Sequence, residues 1–185
     1  MPSPRNILVA VAIAVAATGS ATAAMKNPMV GGAAMYPTKT IVENAVNSKD
    51  HTTLVAAVKA AGLVDTLKSA GPFTVFAPTN SGFSALPAGT VDTLLKPENK
   101  AALTKVLTYH VVPGRIDAAT LAQQIAQGGG KATLKTASGG TLTAMMRGNE
   151  VVVRDDMGGT SVVTIADVFQ SNGVIHVVDK VLLPG

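Results

Sequence analysis

Cysteine is absent from this chain, and with it go disulfides, thiolate nucleophiles, redox dithiols and cysteine-bound zinc. Tryptophan is absent too, and aromatic residues together make up only 3% of the chain. Platforms that stack sugars or unpaired bases are built from aromatic faces, so none is expected. Charge is sparse: Asp, Glu, Lys and Arg amount to 14%, the formal net charge is +4, and Lys and Arg nowhere gather into a basic run. Nucleic-acid recognition needs a stripe of cations, which this distribution excludes. A weak attraction to acidic polysaccharide or lipid head groups stays open. The apolar run from Ile7 to Ala17 falls well short of the roughly 20 residues that span a bilayer.

What is present is aliphatic. Hydrophobic residues are 47% of 185, enough for one core in one domain of ordinary size. The N-terminus reads as an address. Arg5 supplies the positive charge, Ile7 to Ala17 the apolar segment, and Ala21-Thr22-Ala23 the small-residue cleavage site. Residues 1–24 are therefore expected to be a signal peptide. The product is expected to be periplasmic or secreted, and not membrane-spanning after cleavage. Without disulfides its stability must come from packing alone.

Residues 25–39 have no hydrophobic period and are rich in Met, Pro and Gly, which suggests an extended arm lying on the domain. Helical periodicity begins at Thr40. Asp50 is a suitable N-cap for a helix through Ala61 with Gly62 as its C-cap. Phe73 to Ala77 reads as a strand stopped by Pro78. Asn80 or Ser81 is placed to cap a short helix, and two further helices are expected over Thr90–Leu95 and Pro97–Thr108. Tyr109 to Val112 reads as a short strand, and Asp117 as the cap of a helix over Ala118–Ala126. Beyond it, apolar alternation split by Gly-Gly and Gly-Asn turns predicts a meander, with one helical turn at Ala166–Gln170 and a final strand over Val174–Leu183. Helices first and strands after make an α+β domain over residues 40–185.

Three segments, in order, resemble the fasciclin domain family: Thr74-Val-Phe-Ala-Pro-Thr-Asn-Ser-Gly-Phe83, then Tyr109-His110, then Asn172-Gly-Val-Ile-His-Val-Val-Asp-Lys-Val-Leu-Leu-Pro184. The resemblance covers residues 40–184. It implies a wedge of two small β-sheets with a helical layer, in an extracellular protein of adhesion or matrix contact. Phe76, Pro78, Thr79, Asn80, Asn172, Gly173, His176 and Asp179 are then motif residues that support the fold. Tyr109, like Phe76 and Val177, is expected in the core, and His110, like His176, is expected to be structural, its ring tying a strand to a neighbouring loop. Tyr109 and His110 are also the candidates for partner contact. Ser81-Gly82 departs from the acidic residue and Ala that are frequent there in the family.

Catalytic chemistry finds few footholds. Ser84 lies in Gly82-Phe-Ser-Ala-Leu86, which lacks the second glycine of a nucleophile elbow. Ser81, His110, His176 and Asp179 combine into a triad only on paper, and both histidines sit among Val and Ile. Gly128-Gly-Gly-Lys-Ala132 fails as a phosphate loop at Ile125 and at Ala132. Arg154-Asp-Asp-Met-Gly-Gly159 has too few alternating oxygens for calcium. Met25, Met29 and Met35 in the arm, with Met145-Met146, are soft ligands that suit Cu(I), and Met29 and Met35 are the candidate metal residues. Methionine also fills apolar gaps. The sequence therefore describes an exported, non-catalytic interaction or adhesion module without a cofactor. Its partner would be a protein or polysaccharide of the envelope or extracellular matrix. The alternative is a small-ligand or copper carrier using the Met-rich arm.

Overall fold

The computed structural model describes residues 27–185. The segment read as a signal peptide, and Met25 of the arm, lie outside the described residues. Among these residues no helix is long and apolar enough to cross a membrane.

Among the described residues, seven short helices and seven strands follow in the order helix-rich, then strand-rich. The helices are α1 (Ile41–Ala45), α2 (Thr52–Ala61), α3 (Val64–Lys68), α4 (Asn80–Ser84), α5 (Thr90–Leu94), α6 (Lys100–Tyr109) and α7 (Ala118–Gln127). The strands are β1 (Phe73–Pro78), β2 (Val111–Pro113), β3 (Lys131–Lys135), β4 (Thr141–Arg147), β5 (Glu150–Arg154), β6 (Thr160–Gln170) and β7 (Gly173–Val178). They form a mixed sheet in the order β2-β1-β7-β6-β5-β4-β3, antiparallel except for β1 beside β7.

The wedge arises in β6. Its first residues pair with β5 and the rest with β7, and the register slips between Val163 and Ile165 and again between Ile165 and Val168. Extra residues in one strand bend and twist it, so one strand serves two half-sheets. Asp167 sits in the bulge at φ 57°, a left-handed value that Asp tolerates better than most residues. The one-turn helix expected at Ala166–Gln170 is therefore bulged strand. Its spacing imitates a turn because the bulge breaks alternation. The loop after β3 curls back until Ala137 N–H donates to the Val111 carbonyl (2.7 Å), which closes the wedge at its open side.

Two apolar cores result, one on each face of the central strands. Val75, Ala77, Ile175 and Val177 face α1, α2, α3 and α6. Phe76 and Val178 face the wedge interior with Tyr109, Leu121, Ile125, Leu142 and Val153. Strands buried on both faces explain the near-continuous apolar run of β7.

Local capping differs from expectation in two places. Asp117 caps α7 as read, accepting from Thr120 N–H at 2.7 Å, and Gly62 ends α2 at φ 71°. Asp50, however, falls inside a 3-10 turn over Lys49–His51 that precedes α2, and Thr79, not Asn80 or Ser81, caps α4. Asn80 instead serves α2 from a distance. Its amide oxygen accepts from Thr53 N–H (3.0 Å) and its amide nitrogen donates to the Lys49 carbonyl (2.9 Å). Helix α6 also runs through Tyr109, and His110 is its C-cap, not a strand residue.

Candidate functional site

The fold brings the three sequence motifs together as neighbours, since β1 lies between β2 and β7. Their polar groups are then consumed inside the molecule. Asn172 accepts from Ile41 N–H at 3.0 Å and donates to the Leu67 and Ser69 carbonyls at 2.6 and 2.9 Å, tying α1 and α3 to the start of β7. Gly173 is required because a Cβ there would run into the Phe73 carbonyl. Asp179 accepts from Ser161 Oγ (2.9 Å) and Val162 N–H (2.8 Å). Phe76 and Pro78 are buried in β1.

Tyr109 and His110, the candidates for partner contact, are 0% and 2% exposed. They present no surface. Tyr109 donates to the Thr141 carbonyl at 2.6 Å and accepts from Asp156 N–H at 2.9 Å, and burial pushes its phenol up to about 12. The hydroxyl therefore binds the β3–β4 turn to the acidic loop after β5.

Three histidines share one logic. A backbone N–H only donates and a carbonyl only accepts, so partners fix the tautomer. His110 Nε2 accepts from Leu182 N–H (2.9 Å), so Nδ1–H donates to the Val106 carbonyl (2.8 Å). His176 is the opposite tautomer: Nδ1 accepts from Asp167 N–H (3.3 Å) and Nε2–H donates to the Ile116 carbonyl (2.7 Å). His51 Nε2–H donates to the Ala77 carbonyl at 3.4 Å, leaving Nδ1 to accept from the Ser48 hydroxyl at 2.8 Å. Each ring uses one donor and one acceptor, so each is neutral. Burial lowers the pKa of all three, that of His110 to about 4. With both ring nitrogens and the Asp179 carboxylate engaged, the paper triad has neither a free base nor a free orienting group. His51 was not among the residues read from sequence. The Ser at i−3 is its only local signal.

The arm is part of the domain. Asn27 exchanges two hydrogen bonds with the Phe169 backbone. Val30 and Ala33 pair across Gly31 and Gly32, both at positive φ, and Gly31 approaches the Lys49 backbone too closely for any side chain. Asn44 holds Tyr36 through its N–H (3.0 Å) and its carbonyl (2.8 Å). Met35 packs into the core at 5% exposure, whereas Met29 is 63% exposed. The buried thioether is thus a packing group. Among the described residues no cluster of three or more His, Asp or Glu could hold a metal.

Val30 and Met35 close an apolar cleft between α1, α2, α3 and the β1–β7–β6 face, with about 50 Å³ of free space inside. The aperiodic arm gave no sign in the sequence that Val30 and Met35 are buried, or of the void they cover. Away from this cleft, the outer face of the meander carries Lys131, Thr133 and Lys135 of β3, and Arg154 of β5 opposite Thr143 of β4. The Arg147–Glu150 ion pair (3.5 Å) borders it.

A wedge of this topology, with its motif residues spent on the fold, is that of the fasciclin domain, and the family model for the fasciclin domain matches residues 49–184. The chain belongs to that family. It is similar to protein sll1483 of Synechocystis, with 52% identity over 159 residues, covering 86% of this chain and 81% of that one. It is 38% identical over 145 residues to immunogenic protein MPT70 of Mycobacterium tuberculosis, covering 76% of this chain and 66% of the relative. Transforming growth factor-beta-induced protein ig-h3 of Sus scrofa is 34% identical over 153 residues, which cover 80% of this chain and 20% of that protein. The FAS1 domain pair of the insect cell adhesion molecule Fasciclin I superposes with a TM-score of 0.70 at 20% identity, covering 80% of this chain and 51% of that one. That likeness shows the fold.

Proposed function

We propose that this chain is an exported, non-catalytic interaction module that binds a protein or polysaccharide of the envelope or extracellular matrix. The observation that carries the reading is the internal use of its polar motif groups. The three histidines, Asp179 and Asn172 all bond within the fold, so recognition is left to exposed surface. Family membership supports it, since relatives include a cell surface glycolipoprotein of Mycobacterium bovis and, by fold, an insect adhesion molecule. The outer face of the meander is the surface that fits best, because the exposed Lys131, Lys135 and Arg154 stand on the same face as Thr133, Thr141 and Thr143. Such a face attracts an acidic partner and does so less as salt rises.

The test is retention of the exported protein on isolated envelope at low and moderate ionic strength. Retention should fall several-fold in the Lys131→Glu, Lys135→Glu double variant, whose melting temperature should not change. Equal retention of the variant removes the meander face from the reading. No retention of the unaltered protein on any envelope fraction refutes the function itself.

A further inference from the structure

The cleft beneath the arm is poorly explained as core. Its lining is aliphatic, and the few polar groups in its wall, Ser48, His51 and His110, are already bonded to one another or to backbone. Water entering it would find no partners, and apolar cavities of this kind stay dry. About 50 Å³ is more than one water needs, yet less than the roughly 150 Å³ that admits a benzene-sized guest. A guest must therefore gain room from a movable wall.

The arm is that wall. Val30 and Met35 come from residues outside the matched family segment, which begins at 49, and Met35 is unbranched and soft enough to yield. Between the Val30–Ala33 bridge and Lys39, whose carbonyl accepts from Ser171 N–H (2.9 Å), the arm is held to the rest of the domain by the Asn44 clamp on Tyr36, and no regular strand pairing anchors it. The mouth lies between α2 and α3. There Val55, Leu63 and Val64 are half-buried and Lys59 is exposed. Lys59 is the one charged residue of the lining, and among the described residues it forms no ion pair.

We propose that this cleft binds the chain of an unbranched aliphatic carboxylate. The tail would replace Met35 against Val58, Leu67 and Ile175, and the carboxylate would meet the Lys59 ammonium at the mouth. The aliphatic lining favours a tail over a ring, because no Phe, Tyr or Trp lines the cleft and the His51 and His110 rings are already bonded within the fold. The single cation at the rim selects an anionic head. This site is independent of the meander face.

The probe is dodecanoate below its micelle concentration, added to the full exported protein and followed by calorimetry and by methyl NMR of Val and Leu. Saturable shifts should appear at Val55, Val58, Leu63 and Val64. Met35→Ala should tighten binding about tenfold by loosening the plug, a change of about 1.4 kcal/mol. Lys59→Glu should weaken dodecanoate by at least that factor and leave dodecanol unchanged, and Val58→Phe should abolish both by filling the slot. If Met35→Ala fails to fold, Val30→Ala serves the same purpose. Absence of methyl shifts in both the unaltered protein and the plug variant overturns the site. Binding that ignores Val58→Phe places the ligand elsewhere and overturns it too. Equal response of dodecanoate and dodecanol to Lys59→Glu overturns the carboxylate assignment.

Discussion

Acid should unfold this protein through its histidines before it reaches the carboxylates. In the unfolded chain a histidine titrates near 6.5, whereas burial holds His110 at about 4 in the fold. Between those two values the unfolded state binds more protons. Stability is therefore complete above about pH 6.5 and is lost as pH falls toward 4, with no further loss from this group below. The difference is worth about 3 kcal/mol for His110 alone. His51 and His176 are shifted in the same direction and add to the loss. The physical reason is local. A protonated His110 would turn an N–H toward Leu182 N–H, converting an accepted bond into a clash of donors. Asp117 and Glu43 are held low by their N-cap bonds, so their contributions fade only at more acid pH. Urea denaturation at pH 7.5, 6.5, 5.5 and 4.5 should show a midpoint that holds nearly steady from 7.5 to 6.5 and then falls progressively to 4.5. Long-range nitrogen–proton NMR should show His110 as the Nδ1–H tautomer and His176 as the Nε2–H tautomer. A flat midpoint between pH 7.5 and 5, or a folded histidine titrating near its ordinary value, would refute the neutral-ring account.

Three other outcomes follow from the packing and the sequence. Phe76→Ala should cost about 3–5 kcal/mol, a large share of one domain's stability, and an unchanged thermal melt would mean the ring is not in the wedge core. Tyr109→Phe should cost about 1–3 kcal/mol, because the Thr141 carbonyl and the Asp156 N–H both lose their partner, and calorimetric unfolding would read it. Export should cleave the chain near Ala23 or Ala24. N-terminal sequencing checks this, and an intact Met1 in exported material would contradict it.

Legibility in the sequence tracked how local each cause is. The α7 cap at Asp117 and the α2 stop at Gly62 depend on residues within one turn, and both are plain from the chain. Thr79, Asn80 and Ser81 are all acceptable caps. What separates them is that Asn80 has a partner in α2, a contact no local pattern carries. Tyr109-His-Val-Val112 is apolar in either a helix end or a strand. The Leu182 N–H and the Thr141 carbonyl, far along the chain, decide it. The bulge at Asp167 is invisible locally for the same reason, since it exists to meet His176 and the N-terminus of α7. The arm has no period because it is moulded to a cleft made by other elements.

The position of β7 governs when this molecule can form at all. The strand nearest the C-terminus is inserted in the interior of the sheet, with Gly173 beside Phe73 on one side and beside Gln170 on the other. Until it arrives, β1 has only the three-residue β2 for company and nothing joins that pair to β6. A growing chain would thus leave the ribosome without its central pairing, and closing so long a loop is slow. Such a delay keeps the polypeptide threadable, which is compatible with the export proposed above. It also means that a stop codon before Gly173 would cut β1 and β2 off from β6 and the meander beyond it, not merely trim an end.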